Sequence, residues 1–76
     1  METRESPSRE QVAQLTVFTT KEAAAYLAVS HQLLELLRVK GGGPRYAKLG
    51  RLVRYRRAAL DEWLAEKEQS HTAEGV

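Results

Sequence analysis

Eight cations fall within residues 38–57: Arg38, Lys40, Arg45, Lys48, Arg51, Arg54, Arg56 and Arg57. No carboxylate interrupts them. The rest of the 76-residue chain carries four basic residues against all ten acidic ones, although the net charge is only +2. Charge sorted in this way marks a surface for a polyanion, because a merely solvated face mixes its signs. Lys48 precedes Gly50, while Arg54 and Arg56 follow it at alternate positions. A ribbon turning at Gly50 would gather these three on one face and leave Arg51 at the tip. Just upstream, Ser30, His31, Gln32, Leu33, Glu35 and Arg38 supply hydroxyl, imidazole, amide, apolar, carboxylate and guanidinium groups within nine positions. They lie on the stretch that the elements below make the second helix of a helix-turn-helix.

Other chemistries lack their residues. Without cysteine there is neither a disulfide nor a cysteine-based zinc site. His31 and His71 stand far apart, with no ligand spacing around them. Gly41-Gly42-Gly43 follows no strand and is not continued by GK[ST], so it reads as a turn rather than a nucleotide loop. Ser30 and His31 are neighbours, yet adjacent side chains diverge at a helix start. No enzymatic activity and no cofactor are expected. No apolar run approaches the roughly 20 residues of a membrane span. The opening METRESPSRE is too polar for a secretory signal, so a cytoplasmic location without membrane contact is expected.

The elements that must position these groups begin at residues 18–40. Thr19 and Glu22 have the T-x-x-E spacing of a capping box. A helix follows through Ala23, Ala24, Ala25, Tyr26 and Leu27, mostly strong helix formers. Ala28-Val29 makes a corner with Val29 plugged between helices, and Ser30 caps the next helix. Two short helices meeting on alanines form a helix-turn-helix, whose second helix fits a major groove. At 100° per residue Leu33, Leu34, Leu36 and Leu37 share an arc of about 160°, which periodicity alone assigns to the core. Gly41 supplies the helix C-cap, and Pro44 forbids continuation.

Residues 45–56 read as a hairpin with two possible registers. A three-residue loop of Gly50, Arg51 and Leu52 puts Ala47, Leu49, Val53 and Tyr55 on one face and Tyr46, Lys48, Arg54 and Arg56 on the other. A two-residue Gly50-Arg51 turn instead puts Leu49 and Leu52 on the face with Arg45, Arg54 and Arg56. The first segregates apolar from charged groups and is preferred. Its charged face and Arg51 would make a wing suited to phosphates and a minor groove. The alternative is an edge hairpin charged against aggregation. In the third helix, residues 58–67, Leu60, Trp63 and Leu64 form a stripe at i, i+3, i+4. Trp63 is expected in the core with Leu27, Leu34, Leu37, Val53 and Tyr55 rather than exposed as a stacking platform.

The runs TTKEAAAYLAVS, HQLLELLRVKGG and PRYAKLGRLVRYRRAALDEWL, in this order, resemble the excisionase-type branch of the MerR-like winged-helix proteins. These are phage or mobile-element excisionases and small regulators, and the likeness covers about two-thirds of the chain. It implies a mainly α fold with a small β-hairpin, a winged helix-turn-helix of three helices plus wing. It also implies that copies bind neighbouring sites on double-stranded DNA, bend it, and direct a site-specific recombinase toward excision. A transcriptional regulator of the same fold is the alternative. In such proteins the positions of Leu34 and Leu37 are buried. Those of Leu33 and Leu36 face DNA, usually as Thr and as Arg or Tyr, and that of Glu35 is usually aromatic or basic. Either Leu33 meets a thymine methyl and Glu35 accepts from a cytosine amino group, or Leu33 and Leu36 make a protein contact, as in an interaction adaptor. The positions of Ala58 and Ala59 usually hold Ser or Asp, so the third helix begins poorly capped. RNA binding has little support, because the wing offers one outward aromatic, Tyr46.

The expected organisation is thus a disordered arm over residues 1–15, a winged helix-turn-helix domain over 16–68, and a disordered tail over 69–76. The expected DNA-contacting residues are Ser30, His31, Gln32, Leu33, Glu35, Arg38, Lys48, Arg51, Arg54 and Arg56.

Overall fold

Serine and threonine caps start three of the helices. The computed structural model describes residues 7–74, with side chains through residue 68. Its elements are α1 (Arg9–Val12), β1 (Val17–Phe18), α2 (Thr20–Leu27), α3 (His31–Lys40), β2 (Ala47–Leu49), β3 (Leu52–Arg56) and α4 (Arg57–Glu74). Thr19 Oγ1 accepts from the Glu22 N–H while Glu22 Oε1 accepts from the Thr19 N–H, closing the expected capping box. Ser30 Oγ accepts from the Leu33 N–H at the start of α3. Between them Ala28 adopts a left-handed conformation at φ 62°, which costs a non-glycine residue about 1–2 kcal/mol. Packing of α2 against α3 offsets it.

The winged helix-turn-helix is present, with two additions. Residues 7–15 are not a disordered arm: Ser8 and Gln11 form a second capping box, and α1 buries Val12 against the domain. The earlier residues 1–6 lie outside the described residues. β1 joins the wing strands in an antiparallel sheet of order β1-β3-β2, with Phe18 opposite Tyr55. At the other end α4 continues to Glu74, so the expected tail is helical through that residue. Residues 75 and 76 are outside the described residues.

Val12, Phe18, Ala23, Ala24, Leu34, Tyr55 and Leu60 form the core, flanked by Leu27, Val29 and Val53. The Phe18 and Tyr26 rings lie 5.0 Å apart. The Tyr26 hydroxyl donates to Asp61 Oδ1 at 2.7 Å, tying α2 to α4. That bond, with burial adding to it, raises the phenol's pKa above its ordinary value. Trp63 is not the core anchor. Leu60 takes the central place, Leu64 is exposed and Trp63 is half-buried. One turn beyond Leu60, the indole reaches the glycine turn, where Nε1 donates to the Gly42 carbonyl at 2.7 Å. Gly43 lets that turn lie on α3, since a Cβ there would stand 2.8 Å from Leu37 Cβ.

Periodicity also overfills the core side of α3. Only Leu34 is fully buried and Leu37 half-buried, whereas Leu33, Leu36 and Val39 are exposed. The domain offers α3 a narrow seat on α2, and four leucines across about 160° exceed it.

The hairpin takes the other register. Leu49 pairs with Leu52, Lys48 with Val53, and Ala47 with Arg54, around the two-residue turn Gly50-Arg51. Gly50 sits at φ 68°, the positive φ that a first central turn residue needs in a tight hairpin. Segregation of charge does not decide the pairing; the two-residue turn does, because its twist matches that of the flanking strands.

Candidate nucleic-acid interface

The cationic block divides into residues that brace the fold and residues left outward. Arg57 donates to the Ala13 carbonyl and lies over the Tyr26 ring, holding the α1–β1 connection. Arg45 pairs with Glu62 of α4 at 2.6 Å. Arg38 donates from one guanidinium nitrogen to Thr20 Oγ1 at 3.1 Å and to the Tyr55 hydroxyl at 2.8 Å, and its guanidinium sits over the Tyr46 ring. It therefore clamps α3 to both α2 and the wing. Replacing Arg38 with methionine leaves the buried Tyr55 hydroxyl without that donor. Stability in a urea melt should fall by about 1–3 kcal/mol. An unchanged midpoint and slope would show that this clamp contributes nothing to the fold.

The remaining cations are left outward. Lys40, Lys48, Arg51 and Arg56 are exposed. Arg54 is half-buried, with one nitrogen on the Val53 carbonyl at 2.9 Å. Thr19, Thr20 and Lys21 at the start of α2, Glu35 and Arg38 of α3, and Arg51, Leu52 and Arg54 of the wing line one cleft of about 390 Å³. Here the backbone N–H groups and positive dipole end of α2 meet three guanidinium groups, a combination that favours an anion. Glu35 supplies the one carboxylate, and its Oε2 is already engaged by His31 Nδ1 at 3.1 Å.

The expected contact residues separate into three groups. Ser30 caps the helix through its side chain, and His31 is half-buried against Glu35. Gln32, Leu33 and Glu35 are exposed along α3, beside Leu36 and Val39, whereas Arg38 is turned inward as the clamp on Thr20 and Tyr55. Lys48, Arg51, Arg54 and Arg56 belong to the wing, but Lys48 is on the face opposite Arg54, because it pairs with Val53. The expected single charged face is therefore split between the two sides of the ribbon. Sequence reasoning missed Thr20 and Lys21, whose place in the cleft was signalled only by the cap at Thr19. The outward leucine pair Leu49 and Leu52 belongs to the two-residue register that charge segregation had set second. Among the described residues no group of three carboxylates and histidines could hold a metal ion. No described helix is long and apolar enough to cross a membrane.

Residues 17–68 match a family model described as a helix-turn-helix domain. The match begins at β1 and ends within α4, so it takes in the cleft, α3 and the wing. No curated protein matches the chain.

Proposed function

The chain belongs to the helix-turn-helix domain family, a family of DNA-binding proteins, and from that premise we propose a sequence-preferring duplex-DNA binder of the excisionase type. In this reading α3 enters a major groove, where Gln32 and Glu35 meet base edges and Leu33, Leu36 and Val39 meet apolar ones. The wing follows the adjacent backbone into the minor groove. Arg51 and Arg54 hold phosphates there together with Lys21 and the start of α2. The observation that carries the reading is the cleft shared by α2, α3 and the wing, lined by cations and open to solvent. A phosphate at that place is contacted from three elements at once, which fixes the register of α3 on the duplex.

The biological role we propose is to bind and bend DNA at the ends of a mobile element and so direct a site-specific recombinase toward excision. Charge sorting supports the arraying of copies that such a role needs. The exposed face of α4 carries Glu66 and Glu68 beside Asp61 and Glu62, which also hold Tyr26 and Arg45 of their own chain, while the wing carries the cations. The acidic helix of one copy can thus meet the basic wing of the next. The protein should be a monomer in free solution and should occupy adjacent sites cooperatively. Footprint titrations on a fragment carrying the element's ends test this. Steep, coincident protection of neighbouring sites is expected. Independent isotherms would instead favour a small transcriptional regulator of the same fold.

A further inference from the structure

We propose that Leu49 and Leu52 form an apolar wedge at the wing tip that unstacks a base step and kinks the duplex, an inference resting on the DNA-binding reading above. The two residues are directly opposite each other across the Gly50-Arg51 turn, so their side chains leave the same face of the ribbon side by side. They are 59% and 52% exposed. Neither belongs to the core, which β3 supplies through Val53 and Tyr55. A lone exposed leucine is ordinary. A cross-strand leucine pair at the end of a hairpin is not, since that is where charge normally guards against edge-to-edge association.

The surroundings identify the occupant. Arg51 stands in the turn beside the pair, and Arg54 and Arg56 follow Leu52 on the same face of the ribbon. The partner must therefore be a polyanion that also offers apolar surface within reach of a hairpin tip. A duplex base step does so once it opens, because each base has an apolar face inside a cage of phosphates. Apolar side chains inserted between steps are an established way to bend DNA, the cost of unstacking being offset by burial of the wedge and by added backbone contact. The turn suits this use, because two residues make the tip narrow and Arg51 at its apex is placed to follow the minor-groove potential.

The probe is a mixed-sequence duplex of about 30 base pairs with a central TpA step, the kind that kinks most readily. It carries 2-aminopurine beside that step and an energy-transfer pair at its ends. Binding of the full chain should raise 2-aminopurine fluorescence severalfold and shorten the end-to-end distance. The Leu49→Ser/Leu52→Ser protein should melt as the wild type does. It should bind the probe with the same dependence on salt and within about tenfold in affinity, the apolar burial being all that it loses, and it should give neither signal. Leu49→Met/Leu52→Met, which keeps an apolar tip, should retain both. The proposal is overturned if the serine variant unstacks and bends the probe as the wild type does. It is equally overturned if the wild type binds and leaves the probe straight and stacked, which would make the pair a surface for a protein. If the wild type shows no salt-dependent binding to the duplex, the DNA-binding reading itself fails.

Discussion

Phe18→Ala should move the urea midpoint of the protein far below that of the wild type. Phe18 is wholly buried, packs 5.0 Å from Tyr26 and stands opposite Tyr55 in the sheet. β1 is only two residues long, so this ring is its main hold on the domain. Removing it costs about 3–5 kcal/mol, as for other buried phenylalanines. A chain of this size has only roughly 4–11 kcal/mol of stability, and no disulfide constrains its unfolded state. Phe18→Leu keeps most of the volume and should cost about 1.5 kcal/mol or less. Urea melts followed by far-UV circular dichroism compare the two. A Phe18→Ala protein with the wild-type midpoint would remove β1 from the core. Trp63→Phe should be milder than Phe18→Ala, because Trp63 is half-buried and loses chiefly its bond to Gly42.

The second large effect is on binding. Lys48, Arg51 and Arg56 are exposed, and no described group pairs with them. Changing all three to alanine should leave the melt unchanged. Each phosphate left without its cation takes about 0.9 from the slope of log K against log[salt], or about eightfold in affinity at 0.1 M salt. Three such phosphates amount to several hundredfold, with almost the same effect on a preferred and a scrambled duplex. Gln32→Ala should behave oppositely, shifting the choice of sequence and leaving the slope intact. Fluorescence anisotropy on both duplexes at several salt concentrations separates these outcomes. A triple variant that keeps the wild-type slope would show that the wing neutralises no phosphate.

Local chemistry made much of this legible. The Thr19–Glu22 box, the Ser30 cap and the Gly41 helix end are each decided by neighbouring residues, and each stands where its spacing places it. The same spacing is present at Ser8 and Gln11, yet the polar composition around them hid a helix whose single buried residue is Val12. Composition averages over a segment, whereas one apolar side chain on a capped turn is enough to dock it. The hairpin register was illegible for a different reason. Charge segregation argued for three loop residues, but Gly50 takes the positive φ of a two-residue turn, and that turn sets Leu49 opposite Leu52. Trp63 kept the periodicity of a core residue while lying past the end of the core. Its partner is a backbone carbonyl in a turn, and no pattern in sequence announces that. At the candidate site the cations were plain, but their division into braces and outward groups was not. Arg38, Arg45 and Arg57 are held by Tyr55, Glu62 and Ala13, all at least 17 residues away in the chain.

The central claim is that α3 and the wing together form the DNA-binding surface, and amide-resolved NMR during titration with duplex DNA tests it most directly. The account predicts that resonances of Thr20, Lys21, Gln32, Glu35 and residues 48–54 shift together at a low-salt equivalence point and return as salt is added. Those of the middle of α4 should stay in place on a duplex long enough for one copy only. Shifts confined to α4 or α1, with α3 and the wing unmoved, would contradict it.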